Sequence, residues 1–165
     1  MRNCDGCRAC CKVFPLPVLG KEADQWCRFI CSAGCSVHGN GQPEVCREYS
    51  CYWLDHEETS EECRPDRIGL VATESGTITV AGRTIPVCVL NQMEPSAYRG
   101  PAAAGFVADL LGQGFALLVI YGLDMQILFD REHWLTISPE QIEAAYREEF
   151  LRDTKELKRL GAIDR

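Results

Sequence analysis

Residues 4–11 read Cys4-Asp5-Gly6-Cys7-Arg8-Ala9-Cys10-Cys11, which is four thiols in eight residues. A Cys-x-x-Cys turn with a glycine inside it aims two thiolates at one ion about 2.3 Å away, and thiols crowded this closely are costly unless something binds them. Working outward, Cys27, Cys31 and Cys35 follow at spacings of four, then Cys46 and Cys51. Nine of the eleven cysteines therefore fall within the first 51 residues of a 165-residue chain. One cysteine alone is most simply a small buried hydrophobe; nine in so short a span predict metal ligation. In a reducing compartment disulfides are disfavoured, and an odd number of thiols leaves one over.

The rest of the composition explains why such a segment needs metal. Residues 1–63 hold 13 of the large apolar types Val, Ile, Leu, Met, Phe and Trp, and residues 64–165 hold 33. The first part is too poor in apolar side chains for a core of its own. Metal bonds are a physical substitute, since metal affinity present only in the folded state is folding free energy, about 10 to 16 kcal/mol per structural zinc in finger peptides. The expected organisation is a cysteine-cluster metal-binding module over 1–54, an acidic connector over 55–67 and an α+β domain over 68–165. The fold class expected is thus α+β: a small Cys-rich module with little regular structure, then a small antiparallel or mixed sheet packed with helices.

Ligand arithmetic bounds the metal. Two four-coordinate ions use eight terminal thiolates, or seven if one bridges, while three ions use nine if three bridge. The candidate ligands are Cys4, Cys7, Cys10, Cys11, Cys27, Cys31, Cys35, Cys46 and Cys51, holding two or three Zn²⁺, with iron or an iron–sulfur cluster as the alternative. The bacterial ferredoxin run is disfavoured because Cys11 follows Cys10 at once and Pro15 stands apart. His38, three residues after Cys35, is the one histidine at ligand spacing; a surface or satisfied core imidazole is its ordinary alternative. Cys88 and Cys63 are read as lying outside the cluster.

The combination of Cys4-x-x-Cys7-x-x-Cys10-Cys11, Trp26-Cys27, Cys35-Ser36-Val37-His38, Pro43-Glu44-Val45-Cys46-Arg47-Glu48-Tyr49 and Cys51-x-Trp53 resembles the bacterial cysteine-cluster proteins described as zinc- or iron-chelating domains. The resemblance covers roughly residues 1–54. It implies a metal-chelating module with Cys4, Cys7, Cys10, Cys11, Cys27, Cys35 and Cys46 at the family's positions, and Cys31 and Cys51 as additions of a subgroup. The chain departs from the pattern at His38 and Gln42-Pro43, where the family commonly shows Tyr and Arg-Pro. The segment Arg64 to Gly69 and the helix start at Gly100-Pro101-Ala102-Ala103 also look like that subgroup's tail, which implies no particular activity.

Charge and motifs narrow the function classes. The formal charge of −7 repels phosphate backbones and anionic lipid, so neither nucleic acid nor membrane is an expected partner. The expected partners are metal ions. No basic and apolar leader precedes Cys4, and the most apolar stretch, Phe115 to Tyr121, is far short of a membrane span, which predicts a cytoplasmic protein. A thioredoxin-type role for Cys4-x-x-Cys7 is disfavoured because no strand precedes it. Asp66 between Arg64 and Arg67 reads as a solvated charge cluster. The expected function is a metal-binding protein in a structural or metal-handling role; the alternative is an iron–sulfur enzyme using the same cysteines.

The second part has a legible element order. Ile68 to Ala72, Thr77 to Val80 and Thr84 to Leu90 read as strands, with hairpin signals at Ser75-Gly76 and Gly82-Arg83. Pro101 opens a helix whose apolar residues are Phe106, Val107, Leu110 and Leu111, with Gly112-Gln113-Gly114 as its C-cap. Phe115 to Tyr121 and Met125 to Phe129 form a second hairpin, the first strand apolar enough to be central. A closing helix is predicted from the capping box Ser138 and Gln141 to Gly161, with Ile142, Tyr146, Phe150, Leu157 and Leu160 on one face.

Overall fold

The computed structural model describes residues 2–4, 6–80, 82–122 and 124–129; the closing helix expected over 138–161 lies outside them. The fold is α+β. Its frame is a four-stranded sheet of β3 (Leu70–Val80), β4 (Arg83–Gln92), β5 (Ala116–Tyr121) and β6 (Asp124–Leu128), in that spatial order. β3 and β4 are antiparallel, β4 and β5 parallel, β5 and β6 antiparallel. A parallel pair needs a crossover connection. Here α5 (Pro101–Gly112) supplies it and buries Ala103, Phe106, Val107 and Leu110.

Alternation along the strands sends side chains to two faces. Leu70, Ala72, Cys88, Leu90, Leu117 and Val119 pack with the buried residues of α5, with Tyr98 and with Tyr52. Ile78, Ile85, Val87, Ala116 and Leu118 form a second cluster. β5, apolar on both faces, is indeed a central strand.

Two local expectations are corrected. Ser75-Gly76 is not a hairpin turn, because β3 runs through it: Glu74 pairs with Cys88 and Thr77 with Pro86, so two residues oppose Val87 in a β-bulge. Gly76 takes the extra residue at φ +84, a conformation open to glycine. The bulge lies beside Pro86, one residue before the first β5 pairing at Val87, a place where a proline's missing N–H is tolerated within a sheet. The strand start also moves. Ile68 ends the one-turn helix α4 (Pro65–Ile68), capped by Gly69 at φ +72, and β3 begins at Leu70.

The α5 terminus follows the sequence closely. Phe115 N–H donates to Leu110 C=O and Gly114 N–H to Leu111 C=O, with Gly114 at φ +88, the Schellman arrangement.

Residues 1–54 carry only short elements: α1 (Ala9–Val13), the two-residue strands β1 (Ile30–Cys31) and β2 (Gly34–Cys35), α2 (Glu44–Glu48) and α3 (Tyr52–Asp55). They do not stand apart from the sheet. Ala9, Val13, Cys51 and Trp53 share a buried cluster with Val71 of β3, while Tyr52 enters the main core and its hydroxyl donates to Gln113 Oε1 at the end of α5. The break in composition is therefore not a break in packing.

The acidic connector is folded too. The Arg2 guanidinium donates to the carbonyls of Trp53 and His56 at 2.8 Å and to that of Thr59, and it lies over the Trp53 ring. Ser60 caps a 3-10 turn over Glu61–Cys63.

Candidate metal centre

Each cysteine of the first 51 residues is placed by a turn or by a short element, because chain this poor in apolar residues forms no longer ones. Cys4 and Cys7 close a turn in which Cys7 N–H donates to Cys4 C=O at 3.0 Å. Cys10 and Cys11 lie on α1. Cys31 is on β1, exposed, and Cys35 on β2; these strands pair antiparallel, Ile30 with Cys35 and Cys31 with Gly34. Cys46 sits within α2, and Cys51 is the N-cap of α3, buried against Trp53 and Val71. None of the eleven cysteines is in a disulfide.

The thiols gather in two neighbourhoods. In one, Cys46 feels the charges of Cys11, Cys27 and Cys35, and Cys35 those of Cys11, Cys27 and Cys31. Cys27 N–H donates to Cys11 C=O at 3.0 Å, which ties this group to α1. In the other, Cys10 feels Cys7 and Cys4 as well as Cys11, and Cys7 feels Cys51. Among the described residues no three or more Cys, His, Asp or Glu side chains close into a set enclosing an ion. What the structure brings together is the donor chemistry: unbridged thiols from distant parts of the chain, near enough for the charge of one to raise the pKa of another. That chemistry fits Zn²⁺ or an iron site.

Burial favours the protonated form of several of these thiols. Burial raises Cys7 to about 11, although the amide of Ala9 opposes it. Burial also raises Cys35, Cys46 and Cys51. The adjacent pair splits. A side-chain hydrogen bond between them, reinforced by burial, raises Cys10, and the same bond lowers Cys11 despite burial, helped by the Lys21 ammonium. Metal ligands are thiolates, so uptake by such a set releases protons.

Two residues beside the cluster are invisible to spacing. Lys21 is buried, its ammonium donating to the carbonyls of Lys12 and Glu22 at 3.1 Å and to that of Phe14. Desolvation lowers its pKa, opposed by Cys27 and Cys11, so it offers positive charge to the first neighbourhood. Asp66 corrects the reading of a solvated charge cluster. Arg64 grips it with Nε at 2.7 Å and Nη2 at 2.9 Å, and it hydrogen-bonds Cys7. No sequence signal marks it, because it meets Cys7 only through the packing of α4. Outside the cluster, Cys88 is fully buried in the main core, as a small apolar strand residue, and Cys63 packs at the edge of that core.

Comparison with protein-family models, with curated proteins and with solved structures found no match to this chain.

Proposed function

We propose that this chain is a metal-binding protein that chelates two or three zinc ions, or iron, through Cys4, Cys7, Cys10, Cys11, Cys27, Cys31, Cys35, Cys46 and Cys51, in a structural or metal-handling role. The observation that carries the reading is that all nine thiols of the first 51 residues are unbridged and electrostatically linked across distant parts of the segment. The resemblance to bacterial cysteine-cluster proteins points the same way. Crowding so many thiols into one short segment costs free energy that ligation to an ion returns. A reducing compartment such as the cytoplasm suits this chemistry, since oxidation would remove the ligands. The α+β part then serves as the platform on which the metal-held loops are built.

The test is elemental analysis with an absorption spectrum on anaerobically purified protein. Two or more equivalents of zinc in a colourless protein are expected. Intense visible absorbance bleached by reductant would move the reading to the iron–sulfur enzyme. One equivalent or none, or these cysteines paired as disulfides, would overturn it.

A further inference from the structure

We propose that His38 is a metal ligand that shares an ion with Cys4. This deepens the metal-binding reading and rests on it. The geometric basis is a pair of facing turns. Cys4 to Cys7 is one; Cys35 to His38 is the other, closed by His38 N–H donating to Cys35 C=O at 3.1 Å. Gly6, at φ +77, lies inside the first turn, and Gly34, at φ +119, directly precedes the second. Their backbones approach so closely that a Cβ on Gly34 would meet both Cα and N of Gly6 at 3.4 Å. That approach brings Cys4 Sγ and His38 Nε2 to 3.0 Å across 34 residues of sequence.

The turn that presents Cys4 also carries Cys7 at its other end. Thiolate sets completed by an imidazole are common around structural zinc. With His38 the candidate donors number ten, two more than two four-coordinate ions need without a bridge.

The experiment uses the full chain loaded with Co²⁺, whose absorption reports the number of thiolates around it, alongside zinc stoichiometry. The variants are His38→Ala and His38→Cys. The wild type should hold two ions. His38→Ala should bind one of them about 100-fold more weakly or worse, since losing even an outer partner of a ligand costs 10- to 100-fold. The other ion should be unaffected. His38→Cys should keep both ions and gain thiolate-to-cobalt absorbance, which shows that the variant is folded and that position 38 is at the metal. If both variants hold two ions with the wild-type spectrum and affinity, His38 is not a ligand and only this assignment falls. A wild-type chain that takes up neither Co²⁺ nor Zn²⁺ would overturn the assignment together with the function on which it rests.

Discussion

Val71 of β3 is 1% exposed and packs against Ala9, Val13, Cys51 and Trp53, whereas Val87 of β4 is 6% exposed and packs against Ile78, Ile85, Ala116 and Leu118. Val71→Ala and Val87→Ala remove the same atoms from two different clusters. At about 0.8 kcal/mol per buried methylene-sized group, the transfer loss is about 1.6 kcal/mol, and an incompletely collapsed cavity brings it to about 2 kcal/mol in each case. Global stability from urea unfolding should therefore fall alike. Local stability should not. The elements around the cysteines are short and make few apolar contacts, so they open at lower free energy than the sheet. Losing Val71 weakens the anchor of α1, and a loss of about 2 kcal/mol corresponds to roughly 30-fold faster amide exchange across residues 9–14. Val87→Ala should leave those amides nearly unchanged. Hydrogen exchange read by residue provides the comparison. Equal acceleration by both variants would show that the cysteine segment opens only with the whole molecule, and no acceleration by Val71→Ala would show that it is not anchored there.

Cys88→Ala should leave metal per chain unchanged and cost about 1 to 2 kcal/mol in denaturant unfolding, because Cys88 serves only as core packing. Its pH signature has a definite sign. Burial raises the thiol from 9.0 to about 12, so its contribution is complete below pH 9 and fades as pH rises toward 12; the stability gap between wild type and Cys88→Ala should narrow over that window. A gap independent of pH would contradict the burial argument. Replacing Cys10 or Cys46 by Ser should lower metal occupancy, measured by elemental analysis, because a hydroxyl fills a thiolate's position poorly. Gly34→Ala forces a side chain into φ +119 against the Gly6 backbone, a strain of about 1 to 3 kcal/mol; faster metal transfer to a chelator is the expected outcome, and an unchanged rate would separate the two turns from metal retention.

Local signals were enough for the α+β class and most of its elements. Pro101 with the apolar spacing of Phe106, Val107 and Leu110 announces α5, and the unbroken apolar run after Phe115 announces a central strand, because helix and strand periodicities are properties of adjacent residues. The same holds for the concentration of thiols before residue 51, which marks them as candidate donors irrespective of fold. Ser75-Gly76 shows the limit: a dipeptide that suits a turn also suits a bulge, and the choice was made by the partner strand, whose Val87 faces both residues. Which thiols meet was equally beyond spacing. Cys4 neighbours His38, and Cys7 neighbours Asp66, only because chain segments tens of residues apart pack together at Gly6, Gly34 and α4. Nor could composition reveal that Val71 anchors the cysteine segment, since a buried strand valine reads the same whichever surface covers it. Sequence alone determined the fold class, most of the sheet domain's elements and the crowding of thiols before residue 51. Tertiary structure decided the pairings, since contacts between distant residues depend on packing that no local pattern encodes.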